Sequence, residues 1–356
     1  MKELRLMKGN EAFAEAAIRA GTDAYFGYPI TPQSEVIEYL MAQNPEERTG
    51  MAVLQAESEI AAINMIYGAA GCGKKAMTSS SSPGISLKQE GLSYIAGAEL
   101  PCVVLNVVRG GPGLGTIQPS QSDYFQAVKG GGHGDYKLIV LAPATVQETV
   151  DFVKLAFDLA FKYRNPVMIL SDGIIGQMME KVELFEQIPR SDEEYDWATQ
   201  GKKPGKDHTI ITSLQLKPEE QEKVNLRLQA KYREVEKNEV LYESYNTEDA
   251  DYLFVAFGSC GRITQKAMEM ARKKGYKVGQ IRPKTLYPFP VEVINKLSDQ
   301  VKGILTVEMN AGQMVEDVRL AVDGKTPVEY FGRYGGMIPS PDEILNAFEQ
   351  KFIGGK

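Results

Sequence analysis

A chain of 356 residues, 43% hydrophobic and 24% charged, is long enough for two or three domains and has the composition of an ordinary globular protein. Its net charge of −7 argues against nucleic acid as a main partner. The three cysteines, Cys72, Cys102 and Cys260, lack CxxC spacing, so they supply neither a four-thiolate iron–sulfur site nor a disulfide framework, and they are expected as small core residues.

Lys2, Glu3, Arg5 and Lys8 interrupt the first apolar residues, so no signal-peptide core is expected there. No later apolar stretch approaches the ~20 residues of a bilayer span, and the chain reads as cytoplasmic. Helical and extended patterns then alternate. A helix over Glu11–Ala20, stopped by Gly21, precedes a strand at Ala24–Tyr28, and a helix over Ser34–Met41 precedes a strand at Met51–Leu54. The unit repeats as a helix over Glu59–Ala70 with a strand at Lys75–Thr78, a helix from Ile85 to Gly97 with a strand at Cys102–Val108, and a helix over Val146–Tyr163 with a strand at Val167–Leu170. Such alternation predicts a parallel sheet covered on both faces. From about Glu180 to Asp249 the chain turns polar, with Lys202-Lys203-Pro204-Gly205-Lys206 and a Lys/Glu-rich helical run over Glu219–Glu236. A second α/β unit follows: strand Tyr252–Phe257, helix Arg262–Lys274, strand Lys277–Arg282, helix Val291–Leu297 and strand Gly303–Val307.

Three segments carry chemistry. In Tyr28-Pro29-Ile30-Thr31-Pro32 two prolines fix their own φ and bias the residues before them, so Thr31 is held in a stiff turn at a strand end, where α/β folds place ligand contacts. Glu57 and Glu59 open an apolar helix, where the acids also favour the helix start. Arg109 leads from an apolar strand into Gly110-Gly111-Pro112-Gly113-Leu114-Gly115, and its fork of donors suits a carboxylate. Two glycine-rich decoys fail on context. Gly68-Ala69-Ala70-Gly71-Cys72-Gly73-Lys74-Lys75 ends a helix and opens a strand, the reverse of a phosphate-binding P-loop, and the loop after Arg109 does not run on into a dinucleotide-binding helix. His133 stands in Gly130-Gly131-Gly132-His133-Gly134-Asp135 and reads equally as a loop residue or a site residue; His208 reads as a solvated loop residue.

Together these segments, with Ser79-Ser80-Ser81-Ser82-Pro83-Gly84 and Glu308-Met309-Asn310, resemble the thiamine-diphosphate-dependent 2-oxoacid:ferredoxin oxidoreductases, in particular the subunit carrying the pyrimidine-side domain of that family. The resemblance implies an α/β fold: a pyrimidine-type thiamine-diphosphate-binding parallel-sheet domain over residues 1–180, a polar connection over 181–249, and a smaller transketolase-C-terminal-like α/β domain over 250–356. It implies that Thr31 and Arg109 bind the substrate carboxylate, that Pro29 and Glu59 contact the cofactor, and that Glu59 is the catalytic carboxylate, hydrogen-bonded to the aminopyrimidine so as to stabilise its imino tautomer. The next asparagine after Asp172-Gly173 is Asn225, too far for the magnesium motif of thiamine enzymes. The diphosphate and Mg2+ are therefore expected on a partner subunit, as are the iron–sulfur clusters, with further small subunits, ferredoxin as electron acceptor and coenzyme A as co-substrate. Members acting on 2-oxoglutarate more often carry Ser-Thr-Gly after the proline of this loop. Gly113-Leu114-Gly115 stands here instead and favours the branched-chain (3-methyl-2-oxobutanoate) members. A 2-oxoglutarate enzyme subunit and a non-catalytic scaffold subunit stay open as alternatives.

Overall fold

The computed structural model describes residues 3–202, 204–205 and 207–354; Lys203 and Lys206 of the basic run lie outside them. In chain order the elements are β1 (Glu3–Lys8), α1 (Gly9–Arg19), β2 (Ala24–Gly27), α2 (Ser34–Gln43), α3 (Pro45–Thr49), β3 (Ala52–Gln55), α4 (Glu59–Gly71), β4 (Ala76–Ser80), α5 (Ser82–Gly97) and β5 (Cys102–Val108). Then come β6 (Ile139–Leu141), α6 (Val146–Tyr163), β7 (Pro166–Asp172), α7 (Gly173–Gln177), β8 (Met179–Leu184) and α8 (Pro218–Asn238). The remainder comprises β9 (Tyr242–Tyr245), β10 (Tyr252–Val255), α9 (Gly258–Lys273), β11 (Val278–Pro283), β12 (Thr285–Tyr287), α10 (Val291–Ser298), β13 (Ile304–Glu308), α11 (Met314–Val322), β14 (Val328–Gly332) and α12 (Pro341–Phe348).

The larger sheet has the order β12-β6-β7-β5-β4-β2-β3, and every pairing but β12–β6 is parallel. Its centre is β5 and β7, apolar runs buried at every residue, because helices cover both faces of a parallel sheet. The smaller sheet, β14-β13-β10-β11-β9, is parallel apart from β9. β1 and β8 form a separate antiparallel ribbon. The stretch 181–249, polar in sequence, thus begins inside β8 and ends beyond β9, whose charged, alternating residues mask short half-buried strands. Cys102 and Cys260 are buried as expected, whereas Cys72, which caps the C-terminus of α4, is exposed. No helix among the described residues is long and apolar enough to cross a membrane.

The two sheets are stitched by buried polar contacts. Asp172 caps α7 by accepting from the Ile174 and Ile175 amides, while its other oxygen accepts from the Ser259 hydroxyl at 2.6 Å, at the start of α9. Burial pushes the Asp172 carboxyl above its usual range, against these hydrogen bonds. This aspartate is a fastener between the units. Gln121 donates to the Phe257 carbonyl and accepts from the Met309 amide. Glu308 takes three amides at the start of α11, so Glu308-Met309-Asn310 is a structural corner that holds the loop after Arg109 from behind.

Candidate active site

Because β2, β3, β4 and β5 run parallel, their carboxyl ends lie along one edge. The three segments singled out by sequence follow three of these ends: Tyr28–Pro32 after β2, Ser58–Glu59 after β3, and Arg109 after β5.

The turn after β2 is fixed from below. The Pro32 carbonyl accepts from Asn10 Nδ2 at 2.7 Å and Gln177 Nε2 at 2.9 Å, and Gln33 spans the turn from the Tyr28 carbonyl to the buried Ser79 hydroxyl. Thr31 is left exposed at its tip, with Pro29 half-buried. Arg109 is 8% exposed; its Nη1 donates to the Thr31 carbonyl at 2.9 Å and its Nη2 to the Leu114 carbonyl at 3.1 Å, while Nε is buried without a partner among the described residues. Two of five N–H groups are thus used to link the stiff turn to the glycine-rich loop. That loop is closed by Gly110 donating to the Gln118 carbonyl and Thr116 to the Gly110 carbonyl, which ends the dinucleotide-helix reading.

Glu57 and Glu59 part company. Glu57 is exposed, whereas Glu59, in the first turn of α4 behind the Ser58 cap, is 7% exposed. Among the described residues no hydrogen bond engages its carboxylate. Its Oε1 lies over the first turn of α5: a Cβ on Gly84 would stand 2.7 Å from Glu59 Oε1 and 2.1 Å from Ser80 Oγ. Only a residue without a side chain lets α5 approach the acid this closely. Gly84→Ala is therefore expected to cost about 1–3 kcal/mol of stability through overpacking. A thermal melt checks it.

His133 is not in this group. Its Nδ1 lies 3.3 Å from Ser93 Oγ and its ring meets Tyr94 edge-on, so it packs against α5 roughly 14 Å along the helix from Gly84. His208 is exposed. Sequence reasoning missed the support beneath Arg109. The Ser82 hydroxyl accepts from the Arg109 amide at 3.1 Å and donates to Asp123 at 2.8 Å, and Asn106 braces both Ser82 and Asp123. Burial pushes the Asp123 carboxyl up, against those hydrogen bonds. It also missed Lys88, a fully buried lysine whose signal was available: Ile85, Lys88, Leu92 and Ile95 form one helical stripe, with a charge where an apolar residue is expected.

A twisted parallel sheet that presents an acid at a helix start and a cation beside a rigid turn along one carboxyl edge, followed by a smaller α/β unit, has the plan of the thiamine-diphosphate-binding domains of transketolase-like proteins. A split-gene transketolase superposes over 98% of this chain with a TM-score of 0.61 at 13% identity, a likeness of fold alone. Residues 15–244 match the thiamine diphosphate-binding domain of pyruvate flavodoxin/ferredoxin oxidoreductase, and residues 250–344 match core domain II of pyruvate:ferredoxin oxidoreductase. The chain belongs to that oxidoreductase family.

Two relatives and one solved structure narrow the likeness. The ketoisovalerate oxidoreductase subunit VorB of Methanothermobacter thermautotrophicus is 47% identical over 346 residues, covering 97% of both chains. The 2-oxoglutarate synthase subunit KorA of Methanocaldococcus jannaschii is 36% identical, covering 97% of this chain and 99% of its own. The 2-oxoglutarate:ferredoxin oxidoreductase of Magnetococcus marinus, solved with 2-oxoglutarate, coenzyme A and succinyl-CoA, superposes with a TM-score of 0.87 at 29% identity; the match covers 98% of this chain and 65% of that one.

Proposed function

We propose that this chain is the pyrimidine-side subunit of a 2-oxoacid:ferredoxin oxidoreductase that converts a branched-chain 2-oxoacid, 3-methyl-2-oxobutanoate, to its acyl-CoA with electrons passed to ferredoxin. In this reading residues 1–180 carry the substrate and pyrimidine contacts, 181–249 connect, and 250–356 brace the loop after Arg109. Thiamine diphosphate supplies the nucleophilic carbon and the electron sink for decarboxylation. The buried Glu59 carboxyl, held in a cradle that Gly84 keeps open, fits a hydrogen bond to the ring nitrogen of the aminopyrimidine, with Pro29 in contact nearby. Arg109 and the Thr31 hydroxyl hold the 2-oxoacid carboxylate, the guanidinium giving charge and the hydroxyl one donor.

Mg2+, the diphosphate contacts and the iron–sulfur clusters belong in this reading to partner subunits, including a diphosphate-binding catalytic subunit and small coenzyme A and ferredoxin-like subunits, in the cytoplasm. Support for a partner at this edge comes from its apolar exposure. Tyr28, Leu54, Ile60, Leu114 and Ile117 are 36%, 47%, 49%, 83% and 57% exposed along the strand β3, the loops and the helix start at this edge.

The observation that carries the substrate class is Leu114. Its carbonyl is bound by Arg109, so its solvent-exposed aliphatic side chain stands close to the group that would take the substrate carboxylate. An apolar neighbour there suits an aliphatic substrate tail and offers nothing to a second carboxylate. On the reconstituted complex, initial rates with 3-methyl-2-oxobutanoate are expected to exceed those with pyruvate by about 10–200-fold in kcat/KM, the worth of a few methyl contacts. They should also exceed those with 2-oxoglutarate; a preference for 2-oxoglutarate overturns the assignment.

A further inference from the structure

Helices α4 and α5 leave the carboxyl edge side by side and touch at two glycines. A Cβ on Gly84 would meet Glu59, and one on Gly91 would stand 2.6 Å from Ile63 Cγ2. Lys88 lies between these two crossings and is 0% exposed. Its ammonium donates to Thr78 Oγ1 at 3.1 Å and to the backbone carbonyl of Glu59 at 3.4 Å. Burial pulls this lysine down to about 8, and the opposing influence is the Glu59 carboxylate.

Fold stability gives no reason for a cation here. A methionine would fill the same space without the desolvation cost of an ammonium. A positive charge against the first turn of α4 also opposes the helix dipole, which favours anions at that end. Among the described residues, the nearby group that gains from the charge is Glu59.

We propose that Lys88 is a positioning residue for Glu59: its ammonium anchors the first turn of α4 and sets a positive charge behind the acid that faces the cofactor. The inference rests on the assignment of Glu59 given above. Were the Glu59 carboxyl hydrogen-bonded to the ring nitrogen of the aminopyrimidine, one proton would pass between Oε and that nitrogen, the O–H bond breaking as the N–H bond forms and the reverse, and the Lys88 charge would favour the carboxylate side of that exchange. Lys88 keeps its own proton throughout.

The test uses the assembled complex and Lys88→Met, which preserves length and removes charge. Hydrogen–deuterium exchange at the thiazolium carbon of bound thiamine diphosphate is expected to slow about 10–100-fold, less than the loss of the acid itself would cause. The dissociation constant for thiamine diphosphate and the KM for the 2-oxoacid should stay within about threefold of wild type, because a positioning group acts on the chemical step more than on uniform binding. In the Glu59→Gln background the same substitution should add nothing. Without cofactor, the infrared carboxylate band that Glu59→Gln removes should shift in frequency in Lys88→Met, because the charge behind that side chain is gone. Unchanged exchange and an unchanged band overturn the proposal, and so does a slowing that persists undiminished beside Glu59→Gln, since that marks a merely structural lysine. Failure of the Glu59 reading is seen separately, as wild-type exchange in Glu59→Gln alone. If Lys88→Met does not assemble, Thr78→Val carries the test: it removes the side-chain hydroxyl that the ammonium donates to and should slow exchange about threefold, and wild-type exchange in that variant overturns the proposal.

Discussion

Replacing Arg109 by alanine is expected to lower kcat/KM for the 2-oxoacid by about 10²–10⁴, the kinetic equivalent of the roughly 3–5 kcal/mol lost when one member of a buried charge pair is removed. Affinity for thiamine diphosphate should change far less, because in the proposed arrangement the guanidinium faces the substrate and not the cofactor. Arg109→Lys should rescue little. The guanidinium spans two carbonyls, those of Thr31 and Leu114, in a fork that a single ammonium cannot copy. Steady-state kinetics beside a cofactor titration separate the two effects, and unchanged 2-oxoacid kinetics in either variant remove Arg109 from the site.

The second large effect is expected at Glu59. Glu59→Gln keeps the shape of a side chain packed against Gly84 and should leave folding and subunit assembly intact, yet an amide cannot exchange a proton with the pyrimidine ring. Deuterium exchange at the thiazolium carbon of the bound cofactor should slow by about 10²–10⁴, the usual worth of a positioned acid–base group. Glu57→Gln is the internal control, since that side chain is exposed and should matter little. Rapid-quench measurement on wild type and both variants decides the matter. Equal rates in all three would reduce both acids to residues that favour the start of α4.

The alternation of helix and strand was legible because β5 and β7 are long, β-branched and buried throughout, which leaves a plain apolar run in the sequence. The geometry of the candidate site was legible for a related reason. Prolines, glycines and isolated charges at strand ends have few local uses, and parallel strands bring such ends to one edge. What escaped was short or tertiary. β6 and β12 have three residues each, too few for a period, and β1 and β8 alternate charged residues that read as solvated chain. The start of α5 at Ser82 was hidden because its first turn is polar and only the stripe from Ile85 onward is apolar. Spacing showed an acidic pair at the start of α4 but could not tell that Glu59 is buried and Glu57 exposed, since that depends on Gly84, more than twenty residues away in sequence.

The pairing of β12 with β6 bears on how the chain reaches this state. The outer edge of the larger sheet is closed by residues that follow β6 by roughly 140 positions, a long loop whose closure entropy must be met before the pairing repays it. At ribosomal speeds of roughly 5–20 residues per second, the nascent sheet waits on the order of 10–30 s with the hydrogen-bonding groups of β6 unsatisfied on that side. An open edge in such company is a template for the wrong neighbour. Newly made chains are therefore most vulnerable to aggregation before Tyr287 emerges, and that interval is where a chaperone has most to contribute.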